Sequence, residues 1–250
     1  MKILVPTKRV VDTDQKIRVS EDGSRLEIDS LPFVINPFDA IALEEAIRIR
    51  EQSSTEVEVV AVGIGCSEYE EQLRSAIALG ADRAVKIACE ETLDPWNVSV
   101  VLKAYVEQEQ PDIVLMGKQA VDDDSNQAGQ FLAAQLGWPQ ATFASQIEIL
   151  DQSLRVHREA DAGIEVVSVA MPAVITTDLR LNEPRYASLP SIMRARKKQI
   201  DEVELDTLGV TIEPRIRTLK VRTEQSTRTC NRVDNVGQLL ERLRSEAKVL

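Results

Sequence analysis

Asp112-Ile113-Val114-Leu115-Met116-Gly117-Lys118-Gln119-Ala120-Val121-Asp122-Asp123-Asp124-Ser125-Asn126-Gln127 is the stretch that settles the class of fold. It opens as a near-continuous apolar run, the signature of a strand buried on both faces of a parallel sheet. A glycine and a polar loop follow, and Asp124-Ser125-Asn126-Gln127 then reads as a helix start, with Phe131, Leu132 and Leu136 on the apolar side and Gly137 as the stop. The same grammar recurs in both directions. Residues 2–6, 57–62, 84–87 and 173–177 are further buried-strand candidates. Asn36-Pro37 and Asp94-Pro95 each place a capping residue before a proline at the first helical position. Ser67-Glu68-Tyr69-Glu70 reads as a capping box, followed by Leu73, Ala76 and Ile77 and a stop at Gly80. Strands alternating with helices predict an α/β fold, a mainly parallel sheet with helices on both faces.

Two stretches break the pattern. Residues 16–28 alternate around Glu21-Asp22-Gly23-Ser24 and read as an exposed hairpin, and residues 146–150, 153–158 and 163–170 read as antiparallel strands. Near the C-terminus Val236, Leu239, Leu240 and Leu243 form a helical stripe with no evident core beside it, the pattern of an arm that packs on a partner.

Composition narrows the chemistry. The 250 residues carry 41 acidic and 30 basic groups, a formal net charge of −11, which disfavours a phosphate-tracking nucleic-acid binder. Cys66, Cys89 and Cys230 show no paired spacing, and His157 is the single histidine, so no disulfide framework, zinc site or multi-histidine metal centre is expected. His157 sits in an alternating strand with no nucleophile motif, as an exposed histidine rather than a triad member. No apolar run is long enough to span a bilayer, so no membrane insertion is expected. Met1-Lys2 leads at once into the first apolar run without a signal or transit pattern, which predicts a cytoplasmic location, or the mitochondrial matrix in a eukaryote.

Ligands of open α/β sheets sit outside the carboxyl ends of the strands, which singles out the loops at residues 6–14, 63–67 and 117–127. Gly63-Ile64-Gly65 lacks the third glycine of a dinucleotide fingerprint, because Glu68 stands there. Cys66 follows that turn as a small helix-start residue or a thiol of lowered pKa. The loop at 117–127 admits three readings: backbone amides and Asn126 and Gln127 holding a phosphate while an aspartate takes ribose hydroxyls, a magnesium site on Asp122, Asp123 and Asp124, or a solvated helix start. The magnesium reading lacks a second acidic cluster. Between Arg180 and Arg194, Tyr186, Leu189, Ile192 and Met193 are apolar groups among arginines and prolines, a composition suited to docking an acidic partner. Leu189 precedes Pro190 and is expected to be extended.

Five motifs together resemble the electron transfer flavoprotein β subunit: Val5-Pro6-Thr7-Lys8-Arg9-Val10-Val11-Asp12, Ile35-Asn36-Pro37-Phe38-Asp39, the 117–127 stretch, Trp138-Pro139-Gln140-Ala141-Thr142-Phe143-Ala144 and Asp178-Leu179-Arg180-Leu181-Asn182-Glu183-Pro184-Arg185-Tyr186. The resemblance covers essentially the whole chain. It implies an adenine-nucleotide-hydrolase-like (Rossmann-like) fold divided into an AMP-binding domain (1–184), a partner recognition loop (185–194) and a C-terminal arm on the α subunit (195–250). It further implies an electron carrier without catalytic residues of its own, in a heterodimer whose α subunit holds most of the FAD. Electrons would arrive from acyl-CoA and other dehydrogenases and leave to a membrane quinone oxidoreductase. AMP would contact Pro6, Asn36, Pro37, Phe38, Asp39, Ile64 and the run Gly117, Lys118, Gln119, Ala120, Val121, Asp122, Asp123, Asp124, Ser125, Asn126, Gln127 and Ala128. Bifurcating members, with a second FAD in place of AMP, tend to read Asp-Gly-Asp-Thr where this chain has Asp122-Asp123-Asp124-Ser125, so AMP is expected. Phe38 and Thr13 fall near the flavin, Thr13 where relatives often carry tyrosine. Arg185, Tyr186, Leu189, Ile192, Met193, Arg194 and Lys197 fall on the docking loop, with Leu189 as its anchor and Arg194 and Lys197 where other members can carry methylated lysines. The competing readings are a stand-alone nucleotide-binding protein or an adenylating enzyme on the same fold, and a homo-oligomeric structural module.

Overall fold

The computed structural model describes residues 1–223 and 230–250. Its elements in chain order are β1 (Lys2–Pro6), β2 (Arg9–Val11), β3 (Arg18–Val19), β4 (Leu26–Glu27), β5 (Phe33–Ile35), α1 (Pro37–Gln52), β6 (Glu58–Gly65), α2 (Glu70–Leu79), β7 (Arg83–Ala88), α3 (Pro95–Glu109), β8 (Ile113–Gly117), α4 (Ala128–Leu136), β9 (Gln140–Ile149), β10 (Ser153–Ala160), β11 (Gly163–Ala170), β12 (Ala173–Thr177), α5 (Leu189–Ala195), β13 (Asp201–Glu204) and α6 (Val236–Ser245). The chain divides into two units, residues 1–17 with 28–218, and residues 18–27 with 219–250.

In the larger unit nine strands form one sheet in the order β11-β10-β9-β12-β8-β1-β6-β7-β13. The strands from β9 to β13 in that order run parallel, and β10 and β11 extend the β9 edge as an antiparallel meander. The expected α/β class is thus observed. The period of two explains how one sheet builds two cores. Ile3 and Val5, Val59 and Ala61, Ile113 and Leu115, and Ile175 pack on one face with α1 and α2, through Leu43, Ile47, Leu73 and Ile77. Leu4, Val60 and Val62, Val114 and Met116, and Val174 pack on the other with α3 and α4, through Leu102, Val106 and Leu132. Because both faces are covered, these strands carry no polar alternation.

Local signals start the helices where expected in part. Asp94 caps α3, its carboxylate accepting from the Asn97 amide at 3.0 Å. Asn36 precedes Pro37 at the start of α1 but makes no side-chain cap. Ser67-Glu68-Tyr69-Glu70 forms no capping box either: residues 67–69 make a 3-10 turn, and α2 begins at Glu70. The Tyr69 ring folds back over Gly63 and Gly65, where a Cβ would come within 3.0 and 2.3 Å of it; at Gly65 a side chain would displace the ring. Asp124-Ser125-Asn126-Gln127 precedes rather than opens its helix. Asp124 and Asn126 are left-handed, at φ 54° and 51°, and α4 starts at Ala128. β13 was not legible at all; it pairs with β7, and Val203 and Leu205 pack partly buried on the α3 face.

The smaller unit holds the β3–β4 hairpin, where Asp22 accepts from Ser20 and Ser24 and Gly23 takes a φ of 70°. The Val221 amide donates to the Gly23 carbonyl at 2.9 Å. Asn235 caps α6, on which Val236, Leu239 and Leu240 are exposed and no residue is buried.

Among the ties that hold the segment after β12 to the core, Arg185 makes the charged one to α1. Arg185 donates to Glu44 at 2.8 Å and to Glu51 at 2.6 Å, two carboxylates two turns apart on α1. Burial pushes the Glu44 carboxyl up, but hydrogen bonds from Arg185 and Arg48 outweigh it and hold it below its ordinary range. A depressed folded-state value stabilises the fold above the unfolded pKa and loses that stabilisation as pH falls. Arg185→Met is therefore expected to cost about 2 kcal/mol at neutral pH, and the difference from the native chain should shrink in urea titrations as pH falls below about 4.3, the ordinary glutamate value.

Candidate functional site

The parallel order makes β1 the first strand, flanked by β6 on one side and β8 on the other. The chain moves outward from β1 to β6 and β7 under α1 and α2, then crosses by α3 to β8. The crevice between the ends of β1 and β8 is therefore the topological switch point, the usual ligand position in such sheets. A cleft of about 480 Å³ lies there, lined from the carboxyl ends of β1, β6, β7 and β8. That volume suits a small-molecule ligand.

Its wall combines an apolar back, with Val62, Ile64, Leu102 and Met116, and a polar mouth made by Thr7, Lys8, Asp122, Asp123, Ser125 and Asn126. Of the residues expected to hold a nucleotide, all line the cleft except Pro37, Phe38, Val121 and Asp124. Phe38 turns into the core at 6% exposure. The Val121 amide donates to Asn36 Oδ1 at 3.1 Å, and Asp124 instead bonds the Gln119 side chain. Thr13 lies exposed in the turn after β2, outside the cleft lining. Sequence reasoning placed Lys8 in the 6–14 loop without naming it as a contact, and missed Tyr69 and the loop 89–93. That loop follows β7, so the same strand-end rule would have found it.

One carboxylate organises the floor. Asp39, in the first turn of α1, accepts from the Lys8 amide through Oδ2 at 2.8 Å and from the Gly117 amide through Oδ1 at 2.9 Å. Gly117 must be glycine: a Cβ there would lie 2.4 Å from Asp39 Oδ1 and 2.6 Å from Phe38 Cβ. Asn36 braces the loop beyond it, donating to the Gln119 carbonyl at 2.9 Å while accepting from Val121. Burial raises the Asp39 carboxyl to about 7, against the lowering effect of the two amides. Lys8 Nζ reaches Asp122 at 2.8 Å and Asp123 at 3.0 Å. Desolvation works to lower its pKa, and the two carboxylates prevail and raise it. Asp123 also accepts from the Ser125 amide at 3.0 Å. Lys118 pairs with Asp178 at 2.7 Å and lies 5.4 and 5.2 Å from the ring centres of Phe38 and Phe143. Arg9 stacks on Phe33 at 3.4 Å and pairs with Glu68 at 3.0 Å. Among the described residues no acidic, histidine or cysteine cluster is arranged to hold a metal ion.

The segment expected to dock a partner is divided by the structure. Tyr186, Leu189 and Met193 are 97%, 72% and 50% exposed, and Leu189 and Met193 lie four residues apart on one face of α5. Ile192 turns inward and packs on the α1–α2 core. Arg185 is spent on Glu44 and Glu51, whereas Arg194 and Lys197 are exposed. Leu189 is the first residue of the helix; the extended residue is Ser188, whose hydroxyl caps it by accepting from Ser191. At the other end the Arg74 guanidinium donates to the carbonyls of Ala195, Arg196 and Lys198. A helix this short needs both ties.

An α/β sheet with a small-molecule-sized cleft at its switch point defines the class of fold, and comparison with known proteins narrows it to a family. The electron transfer flavoprotein domain family matches residues 26–208. The chain is 48% identical over 250 residues to an electron transfer flavoprotein subunit beta of Bradyrhizobium diazoefficiens, covering all of both chains. It is 46% identical over 253 residues, again the whole of both chains, to the mitochondrial one of Arabidopsis thaliana. The Homo sapiens subunit is 41% identical over 253 residues, covering 100% of this chain and 99% of the relative. The chain belongs to the electron transfer flavoprotein family.

Asp39 offers a pH test of the floor. Its folded-state value lies above the unfolded one, so the native protein holds a proton the unfolded chain has lost, and its contribution to stability falls as pH rises to about 7. Asp39→Asn removes that titration. The difference in urea midpoint between variant and native chain should move in the variant's favour from about pH 5 to about pH 8; an unchanged difference means the carboxyl does not titrate there.

Proposed function

We propose that this chain is the β subunit of a heterodimeric electron transfer flavoprotein, a carrier rather than a catalyst. It passes electrons from acyl-CoA and other dehydrogenases, through FAD held mostly by an α subunit, to a membrane quinone oxidoreductase. The observation that carries the reading is the end-to-end likeness to subunits of that name. FAD supplies the redox chemistry when bound; this chain supplies scaffold, nucleotide site and docking surface. No helix among the described residues is long and apolar enough to cross a membrane. The location proposed is the cytoplasm, or the mitochondrial matrix in a eukaryote.

AMP is the nucleotide proposed for the cleft. The apolar back suits an adenine ring, and the polar mouth suits ribose and a single phosphate. Asp123 stands where bifurcating relatives tend to carry glycine, which favours AMP over a second FAD. The domain roles follow: residues 1–184 as the AMP-binding domain, 185–194 as the docking loop and 195–250 as the arm on the α subunit. On the docking loop Tyr186, Leu189 and Met193 are the apolar anchors, and Arg194 and Lys197 the orienting charges.

Purification should bring down a yellow, flavin-bearing partner, and denaturation of the complex should release AMP beside FAD. Release of FAD alone would defeat the AMP assignment. Leu189→Ala should slow electron uptake from an acyl-CoA dehydrogenase about tenfold or more, as expected of an interface anchor, while leaving flavin content unchanged. An unchanged rate would remove Leu189 from the docking surface.

A further inference from the structure

Lys8 is fixed at its main chain and replaceable at its tip. Its amide is held by Asp39, the carboxylate that also holds Gly117, so its Cα is anchored at the cleft floor. Its ammonium spans the cleft mouth to Asp122 and Asp123 on the facing loop. We propose that Lys8 is the phosphate-reading cation of the cleft, passed from Asp122 and Asp123 to the nucleotide's 5′-phosphate on binding. The inference rests on the nucleotide reading above and names the group that discriminates within it.

Three observations favour Lys8 over the other groups at the site. Several amides of the facing loop are already committed: Gly117 to Asp39, Val121 to Asn36, Asp124 to the Ala120 carbonyl and Ser125 to Asp123. A backbone cradle is therefore partly spent, and a side-chain cation would complete it. Of the cations, Lys118 is paired with Asp178 where both side chains are mostly covered, at 20% and 13% exposure. Breaking such a pair leaves a covered charge without its partner. Arg9 is committed to Phe33 and Glu68. The Lys8 pair is the exposed one, at 37% against 40% and 42%. Exposed pairs contribute little to stability, so the exchange of carboxylate for phosphate costs little. The released carboxylates are acceptors of the kind ribose hydroxyls require.

The test is calorimetric titration of the full chain, in the complex it is purified in and freed of nucleotide, with AMP and with adenosine. Lys8→Gln should weaken AMP about tenfold to a hundredfold, a loss of about 1.4 to 2.8 kcal/mol, and leave adenosine within about twofold. Lys8→Arg should restore most of the AMP affinity. Equal loss for AMP and adenosine would make Lys8 a prop of the loop, and an unchanged AMP affinity would place the phosphate elsewhere; either overturns the proposal. Failure of the native complex to bind either compound would instead overturn the nucleotide reading itself.

Discussion

The buried carboxylate of Asp39 is the point on which the site hangs. It occupies the first turn of α1, where the helix end favours negative charge, and each oxygen accepts one backbone amide, from Lys8 at the end of β1 and from Gly117 at the end of β8. Those strands are adjacent in the sheet yet separated by α1, β6, α2, β7 and α3 in the chain. Without that bridge the two loops are joined directly only at the mouth, through the exposed Lys8 pair with Asp122 and Asp123, and the cleft between them loses its floor. The same constraint explains Gly117, which any side chain would drive into Asp39 and Phe38.

The site shows a division of labour. Main-chain positions are pinned by covered groups, Asp39 and Asn36, while the charged side chains at the mouth are paired where water reaches them. Covered hydrogen bonds resist exchange and exposed ion pairs do not. The segment after β12 follows the same rule. Arg185 and Ile192 anchor it inward, and Tyr186, Leu189 and Met193 remain outward on a helix tied at both ends.

Much of the fold was legible because its signals are local. The apolar runs, the Asp94-Pro95 cap and the hairpin around Gly23 depend on neighbours a few residues away, and all appear where their residues placed them. The strand-end loops were legible for a related reason, since a parallel strand buried on both faces must end in an exposed loop. Legibility failed where a local signal met a long-range competitor. Asn36 reads as a cap, but its amide is taken by Gln119 and Val121 of a loop more than eighty residues away. The Ser67–Glu70 box gives way to Tyr69 packing on two glycines. β13 was missed because a four-residue strand with three acidic side chains, Asp201-Glu202-Val203-Glu204, has no pattern of its own until β7 offers it an edge.

The amino-acid sequence by itself determined the α/β class, the two-faced burial of the central strands, the position of the strand-end loops and, through five motifs, the family. It did so because periodicity and turn chemistry act over a few residues, and motif identity needs no coordinates. Only the tertiary structure decided which charges are spent and which are available. Arg185 and Glu44 stand 141 positions apart, Gly117 and Asp39 78, and Lys8 and Asp122 114. No local pattern encodes such pairings: they arise when the sheet brings the strand ends together. That convergence leaves Lys8 at the mouth of the cleft, paired where water can reach it.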